Sequence, residues 1–132
     1  MKDFTYLMPT KLFFGRDCVK NNSGVFREFG KKAIIITGRT SAKKNGSQND
    51  VVSALSENGI GYCVFDKTEE NPSLETVIEA AEMAVAEKAD FVIGIGGGSP
   101  MDSAKAVVHT LSEDYHVSDV GNGQEALDFI KE

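Results

Sequence analysis

Three short apolar runs are the clearest pattern along the chain: AIIIT at 33–37, YCVF at 62–65 and FVIGI at 91–95. Their apolar residues are nearly continuous instead of alternating with polar ones, and many are β-branched or aromatic. This pattern is typical of strands that are covered on both faces, as in a parallel sheet. The runs therefore predict three buried strands.

Two stretches with helical periodicity separate these strands. The first is predicted to open at Ser47, with Asp50 completing an approximate capping box, and to end at Asn58–Gly59, where glycine adopts a left-handed conformation easily. The second is predicted to open at Ser73, directly after Pro72. Its apolar face is expected to consist of Leu74, Val77, Ile78, Ala81 and Ala84 or Val85.

A third helix is predicted after the last strand. It is expected to begin at Ser99, with Pro100 at the first helical position and Asp102 placed to bond back to the cap. Its apolar stripe consists of Ala104, Val107, Val108 and Leu111. The repeated order of strand and helix predicts an α/β fold, a three-layer parallel sheet with helices on both faces.

The two ends of the chain are less regular. Residues 10–15 are consistent with a short edge strand, and Asn122 followed by Glu125 predicts the cap of a short last helix over 125–132. A parallel sheet that ends on an exposed strand with a single trailing helix is an unusual end for a domain. We therefore expect the chain to be a truncated form of a longer protein.

Composition restricts the kinds of partner. The chain has 132 residues, enough for one domain, and a formal charge of −6. A nucleic-acid partner is not expected, because phosphate neutralisation needs a basic face. A membrane partner is not expected either, since no apolar run approaches the roughly 18 residues of a span. Asp3 and Pro9 interrupt the N-terminus, which has no signal-peptide pattern, so we expect a cytoplasmic protein.

The metal-binding residue types are sparse. Cys18 and Cys63 are far apart in sequence and are expected to be free, partly buried thiols. His109 and His116 are not spaced to share a helical turn with a carboxylate. No metal site is therefore expected within this chain.

The strongest chemical signal is the segment FVIGIGGGSPMDSAK at 91–105. Gly96, Gly97 and Gly98 lack a Cβ, so a phosphate can approach the main chain closely. The first N–H groups of the following helix have no internal partners and carry a partial positive charge, which favours a pyrophosphate. Ser99 is expected to cap the helix and to offer its N–H, and its hydroxyl as well, to the ligand. The spacing matches neither G-x-G-x-x-G nor a P-loop, so the motif alone predicts an anion-binding turn.

The topology predicts which other loops lie beside this turn. In a parallel sheet the turns that follow the strands emerge at one edge, where ligands bind. The loop after the first strand offers Gly38, Arg39, Thr40, Ser41, Lys43 and Lys44. The loop after the second strand, which begins at Asp66, offers EENPS at 69–73. Within it, Asn71 either touches the ligand or only shapes the turn.

The sequence resembles a known family, the iron-containing (group III) alcohol dehydrogenases. The resemblance covers about residues 6–111 of the chain, and GGGSPMDSAK is its most specific part. It is carried by MPTKLFFG at 8–15, GKKAIIITGRTSAKKNGS at 30–47, EENPSLETV at 69–77 and ADFVIGIGGGSPMDSAKAV at 89–107.

The resemblance implies a Rossmann-like dinucleotide-binding domain over residues 1–111, followed by a connecting segment and short helix over 112–132. It implies NADP or NAD as cofactor, with the pyrophosphate on Gly96, Gly97, Gly98 and Ser99. Asp102 fits the motif as a cap rather than as a ligand. The implied activity is hydride transfer between an alcohol and an aldehyde.

The family pattern continues into parts that this sequence lacks. These are a strand with paired threonines and a helical C-terminal domain, in which one aspartate and three histidines hold the metal. The resemblance therefore implies an inactive chain with no catalytic residue of its own, and iron or another divalent metal only in the full-length parent. We further expect this chain to self-associate and the parent to be a homodimer.

Between the two cofactors we expect NADP to be preferred. In dinucleotide sites, a carboxylate after the strand that faces the ribose accepts hydrogen bonds from the ribose hydroxyls and repels a 2′-phosphate. Here Gly38 follows Thr37 at that place, and Arg39 can donate two parallel hydrogen bonds to a phosphate.

Two alternatives to a dehydrogenase domain stay open from the sequence. Residues 115–132 have some likeness to a response-regulator receiver, for which Asp66 at a strand end would be the phosphorylated residue. The acidic pair that a receiver needs after its first strand is missing. The other alternative is a folded fragment that binds nothing.

Overall fold

The computed structural model describes residues 11–114 and 126–129 of the chain, and side chains through Leu111. The strands are β1 (Lys32–Gly38), β2 (Gly61–Thr68), β3 (Phe91–Ile95) and β4 (Ala126–Phe129). The α-helices are α1 (Cys18–Asn21), α2 (Ser41–Lys44), α3 (Ser47–Glu57), α4 (Leu74–Ala86) and α5 (Gly98–Asp114), and a 3-10 helix occupies Ser23–Glu28.

The four strands form one parallel sheet in the order β2-β1-β3-β4. Each of the three predicted apolar runs lies within a strand, so the predicted α/β fold with a parallel sheet is confirmed. Strands β1 and β3 are central and almost wholly buried. Long apolar side chains are needed on both faces of such strands, which explains why their sequences do not alternate. Strand β2 lies at the edge, and of its residues only Phe65 and Thr68 are buried, so the prediction of a buried strand is wrong there.

Alternate residues of β1 belong to two separate cores, one on each face of the sheet. Ala33 and Ile35 pack with α3, whereas Ile34 and Ile36 pack with α4 and α5. The fold therefore has three layers, and helices from both faces approach the ends of the same strands.

Helix α4 has the predicted cap but only part of the predicted apolar face. The hydroxyl of Ser73 accepts a hydrogen bond from the Thr76 N–H at 3.2 Å. Of the residues assigned to its buried face, Val77, Ala81 and Ala84 are buried. Leu74, Ile78 and Val85 lie to one side of that face and are exposed by 73%, 40% and 42%.

Helix α3 does not have the predicted cap. Its cap is Gly46, which has a left-handed conformation with φ of 83°, and Asp50 N–H donates to the Gly46 carbonyl at 3.0 Å. Ser47 is the first helical residue and is buried, and its N–H donates to Asn45 Oδ1 at 2.9 Å. The helix ends at Glu57, before Asn58 and Gly59, as predicted.

The predictions for the two ends need correction. Residues 11–14 form no strand, and Leu12 and Phe14 are exposed by 77% and 76%. Residues 126–129 form strand β4 instead of a helix. A short apolar run is compatible with either structure, and the open edge of β3 supplies the backbone partners that select the strand. The predicted cap at Asn122 lies outside the described residues.

Two further observations concern the whole described part of the chain. None of its helices is long and apolar enough to cross a bilayer. Cys18 and Cys63 are free and partly buried, as predicted, and burial raises the pKa of the Cys63 thiol.

Candidate functional site

A cavity of about 540 Å³ opens at the edge of the sheet where β1, β2 and β3 end. Its wall is built by the segments that follow these three strands, which are residues 37–42, 68–70 and 95–100. The parallel topology brings these segments together although they are far apart in sequence. The cavity is therefore a site that the fold itself assembles.

The three glycines after β3 differ in what surrounds them. Gly96 has φ of 133°, and a Cβ there would lie 2.9 Å from Pro100 Cγ. Gly96 is thus required by the backbone and by the proline packed on it. A Cβ on Gly97 or Gly98 would meet no atom within 4 Å. At these two positions the missing side chain leaves open space in the cavity wall.

A fourth glycine, which sequence reasoning did not single out, sets the position of α5. A Cβ on Gly94 would lie 2.9 Å from Ala104 Cβ and 3.5 Å from Met101 Sδ. Gly94 therefore allows α5 to pack closely against β3. A glycine inside a strand often marks a close approach, and that signal was present in FVIGI.

Helix α5 begins at Gly98, and the first helical hydrogen bond runs from Met101 N–H to the Gly97 carbonyl at 3.3 Å. The predictions of Ser99 as cap and of Pro100 as first helical residue are therefore wrong. Asp102 is exposed, stands outside the cavity wall, and makes no hydrogen bond to Ser99 within the described part of the chain. The helix thus begins one residue before Ser99, and Gly97 and Gly98 line the cavity.

The hydroxyl of Ser99 connects two of the three segments. It donates to the carbonyl oxygen of Glu70, in the β2–α4 loop, at 2.5 Å. Both residues line the cavity. The hydroxyl thus holds this loop against the glycine turn, and its proton is used in that bond, so a phosphate could accept only from the backbone N–H of Ser99.

Four residues after β1 that were predicted to lie at the ligand-binding edge do line the cavity: Gly38, Arg39, Thr40 and Ser41. A Cβ on Gly38 would come no closer than 4.0 Å to Pro100 Cγ, so this glycine also borders free space.

Neither lysine of the loop is part of the cavity wall. Lys43 Nζ donates to Asp66 Oδ2 at 2.6 Å, and this bond holds the pKa of the Asp66 carboxyl below its usual range. Asp66, the phosphorylated residue of the receiver alternative, is therefore engaged in an ion pair.

The end of β2 and the β2–α4 loop contribute three residues to the wall. Glu69 and Glu70, which the sequence placed at this rim within EENPS, line the cavity, whereas Asn71 of the same segment is exposed and outside the wall. Thr68, the last residue of β2, also lines the cavity, and sequence reasoning missed it. Glu69 Oε1 accepts from Thr76 Oγ1 at 3.3 Å. Thr68 ends β2 directly before EENPS at the same edge of the sheet, which is the signal that could have found it. Glu69 and Glu70 bring two carboxylates to the cavity, where Arg39 brings a positive charge.

The geometry fits a phosphate-containing ligand better than a metal ion. Open space at Gly97 and Gly98 lies over the first turn of a 17-residue helix, where free N–H groups favour an anion. Among the residues that the structure describes, no group of three or more His, Cys, Asp or Glu could hold a metal.

Comparison with known proteins identifies relatives of this arrangement. Residues 9–130 match the family model of the iron-containing alcohol dehydrogenases. NADH-dependent butanol dehydrogenase B of Clostridium acetobutylicum is 32% identical over 120 residues, which are 91% of this chain and 31% of that enzyme. The NADPH-dependent butanol dehydrogenase of Clostridium saccharobutylicum is 33% identical over 102 residues, 77% of this chain and 26% of that enzyme.

Solved structures show the same likeness. The crystal structure of an iron-containing alcohol dehydrogenase from Thermotoga maritima matches with a TM-score of 0.82 and 39% identity, over 96% of this chain and 37% of that one. The chain spans between a quarter and a third of the length of the curated relatives that it matches.

Proposed function

The chain belongs to the iron-containing alcohol dehydrogenase family, and we propose that its cavity binds the dinucleotide NADP or NAD. The whole protein would then be an oxidoreductase that interconverts alcohols and aldehydes. The observation that carries the proposal is the open space beside Gly97 and Gly98 at the start of α5. When bound, the cofactor accepts or supplies the hydride.

The pyrophosphate is the part of the cofactor that the glycine turn suits. The N–H groups of the first turn of α5 have no helical partners and lie at the positive end of the helix dipole, roughly half an elementary charge. Gly97 and Gly98 present this backbone without side chains in the way. The tie from Ser99 to Glu70 supports the proposal further, because it holds the neighbouring loop at the edge of the same cavity.

Calorimetric titration of the 132-residue chain with NADP and NAD tests this assignment. Gly97→Val should abolish binding, because its side chain would occupy the space proposed for the phosphate. Gly24→Val is the matched control, since Gly24 also borders open space but lies in the 3-10 helix, away from the cavity. Equal binding by Gly97→Val and the unmodified chain would contradict the site.

We propose that this chain binds the cofactor without oxidising alcohols by itself. Family members are described as iron-containing, and no metal-ligand group occurs among the described residues. Binding without a positioned metal and substrate supplies little of what the chemistry requires. Purified chain with Fe²⁺ or Zn²⁺ should therefore give no NAD(P)H absorbance with alcohols. Metal-dependent absorbance that is lost in Gly97→Val would contradict the proposal.

We also propose that NADP is preferred over NAD. Gly38 places no carboxylate beside the ribose, and Arg39 in the same wall can pair with a 2′-phosphate. Glu69 and Glu70 act in the opposite direction, since they bring negative charge to the cavity. The relatives include both NADH-dependent and NADPH-dependent enzymes, so the preference depends on residues such as these.

Side-by-side titrations with NADP and NAD test this preference. Gly38→Asp has room for its side chain and should reverse the ratio of the two affinities. Glu70→Gln should raise the affinity for NADP more than that for NAD. The preference is wrong if NAD binds as well as NADP to the unmodified chain, or if Gly38→Asp leaves the ratio unchanged.

Finally, we propose that the chain self-associates, and that the whole enzyme is a homodimer. Leu74, Ile78 and Val85 form an exposed apolar stripe along α4, and such a stripe favours burial against another surface. Light scattering across a concentration series should show a rising mass. If the unmodified chain and Ile78→Glu both keep the monomer mass at every concentration, the proposal is contradicted.

A further inference from the structure

Four buried side-chain oxygens in the described part of the chain have no hydrogen-bond partner: Thr37 Oγ1, Gln48 Oε1, Thr68 Oγ1 and Ser103 Oγ. Buried polar groups are nearly always paired, and an unpaired one costs about 1–3 kcal/mol. Such a group therefore needs an explanation. Two of the four, Thr37 and Thr68, line the cavity, whereas Gln48 and Ser103 do not.

Thr68 is the less enclosed of these two wall residues. It retains 6% exposure, whereas Thr37 is completely enclosed at 0%. Thr68 is the last residue of β2 and pairs across the sheet with Gly38. Thr76 Oγ1, in α4, is already engaged with Ser73 and Glu69. Thr68 Oγ1 has no partner in the part of the chain that the structure describes.

The position of Thr68 indicates which part of a dinucleotide it faces. In parallel dinucleotide-binding sheets, the strand next to the glycine-turn strand carries the residue that faces the adenosine ribose. Here β1 is next to β3, and its residue at that place is Gly38. Since Thr68 is the cross-strand partner of Gly38, it lies at the adenosine end of the cavity.

We infer that the Thr68 hydroxyl hydrogen-bonds to the adenosine half of the bound dinucleotide and is a specificity-determining residue of the site. A hydroxyl both donates and accepts, so it can pair with ribose hydroxyls or with ring nitrogens of adenine. The inference rests on the proposed cofactor binding and adds to it a residue that completes its hydrogen bonding only in the complex.

The test uses AMP as a probe of the adenosine half and inorganic pyrophosphate as a probe of the glycine turn. In the 132-residue chain, Thr68→Val should weaken AMP binding about three- to tenfold, the size expected for one hydrogen bond. Pyrophosphate affinity should stay unchanged. The melting temperature should stay the same or rise, because the variant removes an unpaired hydroxyl and keeps the shape.

Two matched variants separate a binding role from a structural one. Thr68→Ser keeps the hydroxyl and should retain most of the AMP affinity. Ser103→Ala removes a buried, unpaired hydroxyl outside the cavity and should leave AMP affinity unchanged.

The possible results are distinguishable. Unchanged AMP affinity in Thr68→Val would overturn the inference while leaving cofactor binding intact. A lower melting temperature together with weaker binding of both probes would show that the hydroxyl is structural, which also overturns it. An unmodified chain that binds neither probe would overturn the proposed function, and this inference with it.

Discussion

The four glycines of the segment Gly94–Gly98 fall into two pairs with opposite surroundings. Gly94 and Gly96 are packed so closely that a Cβ would lie 2.9 Å from Ala104 and Pro100, respectively. Gly97 and Gly98 border open space, with no atom within 4 Å of a Cβ. The first pair holds α5 against the sheet, and the second pair leaves room for a ligand. One glycine-rich motif thus contains both a closely packed pair and a pair that borders open space.

The largest expected effect is on the packed pair. Gly94→Val should lower the free energy of unfolding by about 3 kcal/mol, because the added side chain collides with Ala104. Urea denaturation measures this change. The control is Gly61→Val in β2, where a Cβ would lie 3.7 Å from Lys32 Cγ, an ordinary contact.

A double variant tests whether the collision is the cause. Adding Ala104→Gly to Gly94→Val removes the opposing methyl group and should recover part of the lost stability. If the single variant is as stable as the Gly61→Val control, the close packing of α5 on β3 is not required.

In the open pair, Gly97 and Gly98, a substitution should raise the free energy of unfolding instead of lowering it. Gly98→Ala should raise the free energy of unfolding by about 0.5–1 kcal/mol, because Gly98 is helical and alanine restricts the unfolded chain. Pyrophosphate affinity should nevertheless fall, roughly tenfold (~1.4 kcal/mol), since the methyl group enters the ligand space. Paired denaturation and calorimetry measure both. A variant that loses stability, or binds pyrophosphate as before, would remove the distinction between the two pairs.

A smaller effect is expected at Ser99, which joins the turn to the neighbouring loop. Ser99→Ala removes the bond to the Glu70 carbonyl and should cost about 1 kcal/mol of stability. Hydrogen exchange of the amides at 69–71 should become faster, while β1 is unchanged. Ser53→Ala, on the exposed side of α3, is the control. Identical exchange in both variants would show that this bond does not hold the loop.

The smallest effect concerns the ion pair beside the cavity. Lys43 lowers the pKa of Asp66, so the pair stabilises the fold at neutral pH and the contribution is lost as pH falls through that lowered pKa. Both side chains are more than a third exposed, and solvent screening limits the contribution to about 0.5 kcal/mol.

Denaturation of Lys43→Met at several pH values measures this contribution. The variant should be less stable than the unmodified chain at pH 7 and equal to it in acid. Lys44→Met, at the next residue of α2, should match the unmodified chain throughout. A difference that grows as the pH falls would contradict the assigned pKa direction.

Much of the fold could be predicted because its signals are local. The runs at β1, β2 and β3 are apolar enough to specify strands, although only β1 and β3 are buried. Ser73 with Thr76 forms a cap within a single turn. The cap of α3 was misplaced because Gly46 in a left-handed conformation takes the role assigned to Ser47. Such a shift by one residue depends on backbone conformation, which residue types alone do not specify.

The candidate site was predictable only in outline. The meeting of the β1 loop with the glycine turn follows from parallel topology, and Gly38 to Ser41 do line the cavity. Asn71 and Asp102 were nominated from their motifs, yet both stand outside its wall. Glu69 and Glu70 belong to the segment EENPS, which was predicted to lie at this rim, and they do line the cavity. The wall residue Thr68 was missed, because β2 extends further than its apolar run and ends at Thr68.

The sequence by itself determined the three strands, their alternation with helices, the glycine turn before α5 and the family resemblance. Each of these depends on neighbouring residues or on a fixed short motif. Only the tertiary structure decided that residues 126–129 pair with β3, that Ser99 bonds to Glu70, and which glycines are packed and which are open. These are contacts between residues distant in sequence, and their energies depend on distances that exist only once the helices and strands have packed together.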